Sequence, residues 1–584
     1  VRGAPLLSLF LLAGCAPADR PAVRVAGTEI GLEEVVRETR AQVAARGEDL
    51  DRIAPDRAYA YASQVALRLA DRVVLESRAS AEARVAAAAR ADDAVAQGVR
   101  IPGLPSGSVR EAVYMDALVG ALVPAGADVE RTLAVWRAEA ELSVFVPYDR
   151  VATAQGALPG PGEIAGMAAL GVLVAAAGGL LLQRAGAGRW ALAALGLGAI
   201  LRVVFWAGTP WDWLAHDAAG HLEYVKLLAE RWRLPGIGEG WQTYQPPLYH
   251  AVAAALGLAT PRALQNLGLV VSIATLSVGL GIVRLAVPER LRAGLPVAFL
   301  FFAVHPSLVL AAPRVNNDGL STLLGVAAVL FALRGRRDGR ILDWALAAAA
   351  AGLALLTKNV GFLLLPILGL LVLLEPACDW KSKVRIGAVS IAIVALLSGW
   401  LVVRRFGGES QRDLVANVGA LSPSLAVEVT PATLLAFHPA RVVREPYVNP
   451  FVAGPARDRL GEYVLRSSLF GEFTFARVPI GLARALVALA TAIALLASLG
   501  AVREIRRHHV DATPMAVVAL VVVLGALAYL PAAPYATSMD FRYLTLLLLP
   551  GSAFLAAAPS PRVVAAIVSA FVAVATIALA IVSF

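Results

Sequence analysis

Histidines, acids, amides and aromatic rings crowd into one polar stretch between long apolar runs. They are His216-Asp217-Ala218-Ala219-Gly220-His221-Leu222-Glu223-Tyr224, then Trp241 to Tyr244, then Gln245-Pro246-Pro247-Leu248-Tyr249-His250. Acids and imidazoles beside a membrane are costly to desolvate, so their concentration points to chemistry. His216 to Trp232 reads as one amphipathic helix. Asp217 and His221, four apart, share a face, with Tyr224 about one turn further along. A carboxylate there can take the proton of an acceptor hydroxyl as its oxygen attacks an anomeric carbon. His221 would orient Asp217 or contact a phosphate. A plainer reading stays open: an Asp at a helix start caps free N–H groups and complements the dipole.

Further along stands His305-Pro306, then Arg314-Val315-Asn316-Asn317-Asp318 at the end of an apolar run. Asp318 opens the next helix and is either a second acid of the site or that helix's cap. Lys358 lies in Leu355-Leu356-Thr357-Lys358-Asn359-Val360-Gly361 between two apolar runs. It either snorkels to the interface or offsets the charge of a departing phosphate. Arg404-Arg405 ends one apolar run and Asp540-Phe541-Arg542-Tyr543 opens another. Arginine suits phosphate oxygens, although Arg542 and Asp540 are also close enough to pair with each other.

The elements that must position these groups follow from composition. Of 584 residues, 58% are hydrophobic and 16% charged, with a mean hydropathy of +0.69. A soluble domain carries about a quarter charged residues, so the chain reads as mainly α and polytopic in a membrane. The net charge of +9 does not imply nucleic acid, because Lys and Arg cluster in short loops between apolar runs. No Gly-Lys-Ser/Thr phosphate loop and no dinucleotide fingerprint is present. Two cysteines, Cys15 and Cys378, lie far apart, and no Cys/His spacing suits a structural zinc.

Apolar runs of membrane-crossing character fall at 164–182, 190–208, 265–284, 294–312, 319–334, 341–356, 360–375, 384–403, 480–500, 515–532, 543–558 and 562–583, giving about twelve spans. The segment from Pro246 to Leu258 is too short and is expected to lie at the surface. The loops Arg184–Arg189, Arg284–Arg292, Arg334–Arg340, Lys381–Arg385 and Arg503–His509 are basic and belong inside. That parity puts Asp217, Asp318 and Asp540 on the opposite, outer face.

Residues 1–20 read as a signal peptide, with Leu12-Ala13-Gly14-Cys15 similar to a lipoprotein box and Cys15 the lipidation candidate. Residues 21–150 are charged and read as an exported helical domain. Val23 to Ile30 reads as strand and turn, Val65 to Leu75 as an amphipathic stripe, and Ser143 to Val146 as a strand. Residues 151–163 form a Gly/Pro-rich linker, and 164–584 the membrane body.

The string Asp217-x-x-x-His221-x-x-Tyr224, Leu234-Pro235 and Gln245-Pro246-Pro247-Leu248-Tyr249 resembles the GT-C superfamily, near the bacterial relatives of protein O-mannosyltransferases and lipid-A aminoarabinose transferases. Members of this kind have a first-loop acid as base and a polyprenyl-phosphate sugar as donor. The resemblance implies Asp217 as base, His221 and Asp318 as further catalytic candidates, and Lys358, Arg542, Tyr224, Gln245, Asn317 and Arg404 as the donor-binding set. The superfamily often has Asp-Glu where this chain has Asp217-Ala218. It implies an inverting transferase in a bacterial inner membrane, with membrane lipids around it, a glycan, lipid or polypeptide acceptor, and no nucleic acid. A divalent metal shared by Asp217 and Asp318 is compatible with the sequence but not required by it. The N-terminal region resembles the helical part of periplasmic peptidyl-prolyl isomerase chaperones over Arg24–Glu34 and Ala66–Glu76, without a catalytic isomerase domain. Two readings from other classes are a transporter or flippase of an anionic lipid, and a membrane-anchored chaperone.

Overall fold

The computed structural model describes residues 21–101, 104, 106–184, 186–215, 217–236, 238–406, 425–454 and 457–583. The signal segment, Cys15 and His216 lie outside the described residues.

The body is helical because its apolar runs must satisfy their own backbone in hydrocarbon. Among the described residues nine helices are long and apolar enough to cross a membrane: Pro161–Arg184, Arg189–Ala207, Pro261–Ala286, Glu289–Leu310, Asp318–Asp338, Trp380–Leu401, Ile480–Arg507, His509–Ala532 and Pro561–Ser583. The other expected spans are shorter. Ile341–Leu355 and Asn359–Leu373 are apolar helices of 10–17 residues. The run at 543–558 splits into a 3-10 turn, Phe541–Leu547, and the helix Leu548–Leu555. The expectation of about twelve therefore becomes nine full-length candidates and three shorter elements.

Small residues let the long helices approach closely. A Cβ on Gly198, in the helix Arg189–Ala207, would lie 3.0 Å from the Ala303 carbonyl oxygen of the helix Glu289–Leu310. One charge is buried inside this packing. Arg202 donates to the carbonyls of Gly198 (2.8 Å) and Ala303 (2.9 Å) and to Ser272 Oγ (3.0 Å), so its cost is met by three acceptors. At the end carrying the basic loops, Arg290 pairs with Glu504 and with Asp511 (3.1 Å).

The N-terminal region is a small α+β unit. Strands β1 (Val23–Val25) and β2 (Thr28–Ile30) form a hairpin, with Val23 opposite Ile30. Its turn residues Ala26 and Gly27 have φ of 48° and 80°, the double positive that a tight hairpin demands. Strand β3 (Ser143–Val144) pairs on the other side of β1. Helices Leu32–Ala45, Pro55–Arg78, Ala81–Ala96, Ser106–Leu122 and Val129–Glu139 pack around this sheet. Asp71 and the buried Arg137 form a bidentate pair at 2.6 and 2.7 Å.

This unit is not a loose appendage. One apolar cluster runs from Tyr59, Val146 and Tyr148 into Tyr447, Phe473 and Phe475 of the membrane body's long connection between the helices Trp380–Phe406 and Ile480–Arg507. Polar contacts fix the register. Asn449 Nδ2 donates to Ser63 Oγ (2.8 Å), Tyr148 N–H to the Thr474 carbonyl (2.7 Å), and the Asp149 carboxylate accepts from the Ala476 and Arg477 amides (2.8 and 2.9 Å).

Candidate active site

The polar stretch folds as a loop, a helix and a second loop. The helix is Ala218–Arg231, shorter than the span His216 to Trp232 read from sequence, because Asp217 and Trp232 both adopt left-handed backbone. Asp217, at φ 60°, does not cap this helix with its side chain. Its Oδ1 accepts from Trp241 Nε1 at 3.0 Å instead. The capping reading is thereby lost: the carboxylate is turned away from the helix N–H groups and toward the second loop. Gly220 makes room for that loop, since a Cβ there would lie 2.8 Å from Gln242 Cγ.

Asp217 lines a cavity of about 260 Å³ together with Trp241, Gln242, Tyr244, Tyr529, Arg542 and Tyr543. Its other walls include Glu472, Phe473 and, from the N-terminal region, Asp56 and Tyr59. Beneath lies the cation wall. Lys358 Nζ forms a tight ion pair with Asp318. Arg542 Nε sits 3.3 Å from Asp540 Oδ2, and its Nη2 donates to Tyr543 Oη at 3.1 Å. The Tyr543 ring faces both cations, 4.9 Å from Lys358 Nζ and 5.0 Å from the Arg542 guanidinium carbon. Arg542 also lines a second, narrower cavity with Asp318, Asp540 and Arg314.

The other candidates separate into two groups. Asn317 and Gln245 brace the cation wall. Asn317 Nδ2 donates to the Thr357 carbonyl (2.8 Å), beside Lys358, and weakly to Gln245 Oε1 (3.4 Å). Gln245 Nε2 donates to Tyr244 Oη (2.9 Å). His221 and Tyr224 do not line the cavity. His221 Nδ1 lies 2.9 Å from His250 Nε2, and the Tyr224 ring stacks on His250 with centroids 4.0 Å apart. Burial pushes the His221 imidazole down to about 4, against the opposing pull of Asp217, so it is neutral at pH 7. Arg404 stands apart as well, donating to the Pro235 carbonyl at 2.6 Å.

Asp217 and Asp318 do not fit a shared divalent cation. Asp318 is already neutralised by Lys358, whose ammonium would repel a second positive charge. Among the described residues, no three His, Cys, Asp or Glu side chains gather as a metal site.

Residues 245–402 match the dolichyl-phosphate-mannose-protein mannosyltransferase family. That stretch contains Gln245, Asn317, Asp318 and Lys358, and over it the GT-C resemblance holds. It excludes residues 21–150, whose chaperone resemblance is unsupported. No curated protein matches the chain. Three solved structures resemble it in outline. The Archaeoglobus fulgidus oligosaccharyltransferase in its apo form has 12% identity and a TM-score of 0.44, covering 68% of this chain and 56% of its own. The oligosaccharyltransferase AglB of the same organism, with an inhibitory peptide and a dolichol-phosphate, has 14% identity and a TM-score of 0.40, covering 63% and 50%. ArnT from Cupriavidus metallidurans, bound to undecaprenyl phosphate, has 16% identity and a TM-score of 0.30, covering 62% and 77%. The chain spans about half the length of the two oligosaccharyltransferases it matches.

Sequence reading missed Arg314, although it quoted the string containing it. Arg314 is buried, and its Nε and Nη2 have no hydrogen-bond partner among the described residues. Burial pushes its guanidinium down, with Asp540 opposing. A buried guanidinium with unmet N–H groups is costly. The signal was available: three cations, Arg314, Lys358 and Arg542, recur at the ends of apolar runs. Glu472 was also missed. Burial and the nearby Asp540 push its carboxyl up to about 8.

Proposed function

We propose that the chain is a membrane glycosyltransferase that moves a sugar from a polyprenyl-phosphate carrier to an acceptor outside the cytoplasm. The observation carrying this reading is a cavity lined by both Asp217 and Arg542, with Lys358 on the same Tyr543 ring as Arg542. The family match over 245–402 supports it.

The chemistry is a direct displacement. The acceptor oxygen attacks the anomeric carbon while its proton passes to Asp217, and a new glycosidic C–O bond forms. The anomeric C–O bond to phosphate breaks, and its electron pair stays on the phosphate oxygen. Attack from the face opposite the leaving group inverts the anomeric centre. Arg542, Lys358 and Arg314 offset the negative charge that grows on the phosphate. Asp318 and Asp540 hold Lys358 and Arg542 in place. Gln245 and Asn317 hold the backbone around Lys358.

On this reading the acids and the N-terminal unit face outward across a bacterial inner membrane, and the basic loops face the cytoplasm. Residues 21–150, the linker 151–163 and the body 164–584 form one working unit. His221 and Tyr224 are positioning residues that shape the helix behind Asp217. Arg404 acts at the Pro235 loop.

The test is release of free undecaprenyl phosphate by purified protein from a panel of undecaprenyl-phosphate sugars, supplied with free glycans, lipid extract and peptides as acceptors and followed by mass spectrometry. Release by wild type and not by Asp217→Asn is expected. No release by folded wild type from any donor sinks the reading and favours a transporter of an anionic lipid, to be tested by flux into liposomes.

A further inference from the structure

The first turn of the helix Pro55–Arg78 faces the membrane body. Asp56 lines the 260 Å³ cavity that also holds Asp217, Gln242 and Arg542. Burial and the Asp217 charge push the Asp56 carboxyl up to about 6, while the Asp56 and Arg57 backbone N–H groups pull it down. An acid in the first turn of a helix is ordinary. One that is half-buried and feels the charge of a second carboxylate from a different part of the chain is less so. The cavity also has an unmet hydrogen-bonding group. Gln242 is 2% exposed, and its Oε1 has no partner among the described residues. A buried amide oxygen without a donor calls for one from a ligand.

The N-terminal unit also grips the loop that ends in Asp217. The Leu214 amide donates to Tyr148 Oη at 3.1 Å. The Asp212 carboxylate accepts from the Gln155 and Gly156 amides at 2.6 and 3.0 Å. The loop bends through left-handed backbone at Leu214 and again at Asp217. Both bends lie within or beside the gripped segment.

Resting on the transferase reading, we propose that the N-terminal unit completes the transfer site: Asp56 accepts a hydrogen bond from a hydroxyl-bearing acceptor and, with Gln242, positions it for Asp217. A polyhydroxylated acceptor satisfies both groups at once. One hydroxyl donates to Asp56 and another to Gln242 Oε1, while the attacking hydroxyl faces Asp217. The aromatic rings of Trp241, Tyr244 and Tyr543 supply the apolar walls against which such a molecule packs.

The test uses the full chain in liposomes, with an undecaprenyl-phosphate sugar as donor, free oligosaccharides as the polyhydroxylated acceptor and released undecaprenyl phosphate as readout. Loss of a hydrogen bond to a charged group predicts that Asp56→Asn lowers release about 10- to 100-fold with the donor KM unchanged. Asp56→Glu restores part of it. Gln242→Asn, on the opposite wall, gives a smaller loss of the same kind without altering the N-terminal unit. Glu82→Gln, on the exposed face of that unit, leaves release unchanged.

The pH profile separates binding from folding. Asp56 is faced by Asp217, Arg57 and Tyr148, with Glu472 and Arg542 across the cavity. Wild-type release rises as pH passes upward through about 6, and Asp56→Asn lacks that step. Asp56→Asn with wild-type release and pH profile overturns this inference alone. A change confined to donor KM also overturns it, by moving Asp56 to the donor. Wild type that releases nothing from any donor overturns the transferase reading, and this inference with it.

Discussion

Asp217 and Lys358 belong to one polar region, the first lining the cavity and the second packed behind it against Tyr543, and the chain holds them in different ways. Asp217 sits on a loop in left-handed backbone, and among the described residues its side chain has one hydrogen bond, from Trp241. Lys358 is buried, ion-paired with Asp318, and faces the Tyr543 ring. Its neighbour Arg542 is likewise paired, with Asp540. The difference matches the two tasks proposed for these walls. A group that stabilises growing charge works best when fixed beforehand, since it then pays no reorganisation during the reaction. A base must take up a proton and give it back, so a carboxylate with few competing partners serves better.

The largest expected effect tests the acid wall. Asp217→Asn removes the base but keeps the shape and the Trp241 contact. Release of carrier phosphate falls by roughly 10²–10⁴-fold, the usual worth of a general base. Thermal stability stays within about 0.5 kcal/mol of wild type, because the side chain takes part in no buried ion pair. A large loss of stability would show that Asp217 is structural and erase the contrast between the walls.

The cation wall answers in the opposite way. Lys358→Met strands Asp318 as a buried, unpaired charge, which costs about 3–5 kcal/mol. It also removes a cation worth roughly 10²–10³-fold in release. The double variant Lys358→Met with Asp318→Asn recovers most of the stability and none of the activity. Recovery of activity in the double variant would mean that the lysine serves only to neutralise Asp318. Unchanged stability in the single variant would mean that the pair does not set the wall in advance.

How much of this was legible in the chain differs between the same two walls. The cations were legible because a charge at the end of an apolar run violates the pattern around it, as Lys358 and Arg542 do. Asp217 was legible by the same rule. The side-chain partners were not. Asp217's capping role and its turn toward Trp241 begin from the same residue types, and only the left-handed backbone at Asp217 decides between them. The helical periodicity of 216–232 placed His221 on Asp217's face but could not show His250 arriving from another helix to claim it. The span count suffered similarly. Apolar composition marks where helices run, but the 3-10 turns at Asn359–Leu363 and Phe541–Leu547 interrupt two of the runs, and hydropathy averages over such turns. The strand and turn at 23–30 were readable, but not the second strand, Thr28–Ile30, that makes them a hairpin. The insertion of Asp56 into the cavity was not, because a first-turn acid is ordinary in any helix.

Behind the acid wall, the His221–His250 contact gives a pH test. A hydrogen bond between two imidazole nitrogens needs one donor and one acceptor, so at least one ring must be neutral, and burial disfavours the charged form of both. Burial holds His221 at about 4 in the folded chain, against about 6.5 when unfolded. Between those values the unfolded chain binds more protons. Stability from this group is therefore full above pH 6.5 and is lost as pH falls toward 4, by on the order of 2–3 kcal/mol. Melting curves from pH 7.5 to 4.5 check it: His221→Gln flattens the acid limb relative to wild type. An identical limb in the variant would show that the pair does not titrate in this way. Lys358→Met softens the limb without abolishing it, because burial is the larger cause of the lowered His221 value and the Lys358 charge a smaller one.

The smallest effect asks whether the loop that carries Asp217 owes its shape to the N-terminal unit. Tyr148→Phe removes the acceptor for the Leu214 amide and leaves that buried N–H unmet, at a cost of roughly 1–3 kcal/mol. Tyr148 is itself wedged edge-on between Trp213 and Phe473, with ring centroids 4.6 and 4.7 Å away, so the ring stays in place and only the hydroxyl is lost. If the lost energy is spent in loosening the loop, release falls about fivefold, the rate equivalent of about 1 kcal/mol. Donor KM stays constant, since the phosphate-facing wall is untouched. Combining Tyr148→Phe with Asp217→Asn then gives no further loss, because the loop no longer carries a working base. Additive losses would place Tyr148's influence elsewhere in the cavity and separate the grip on the loop from the chemistry at its end.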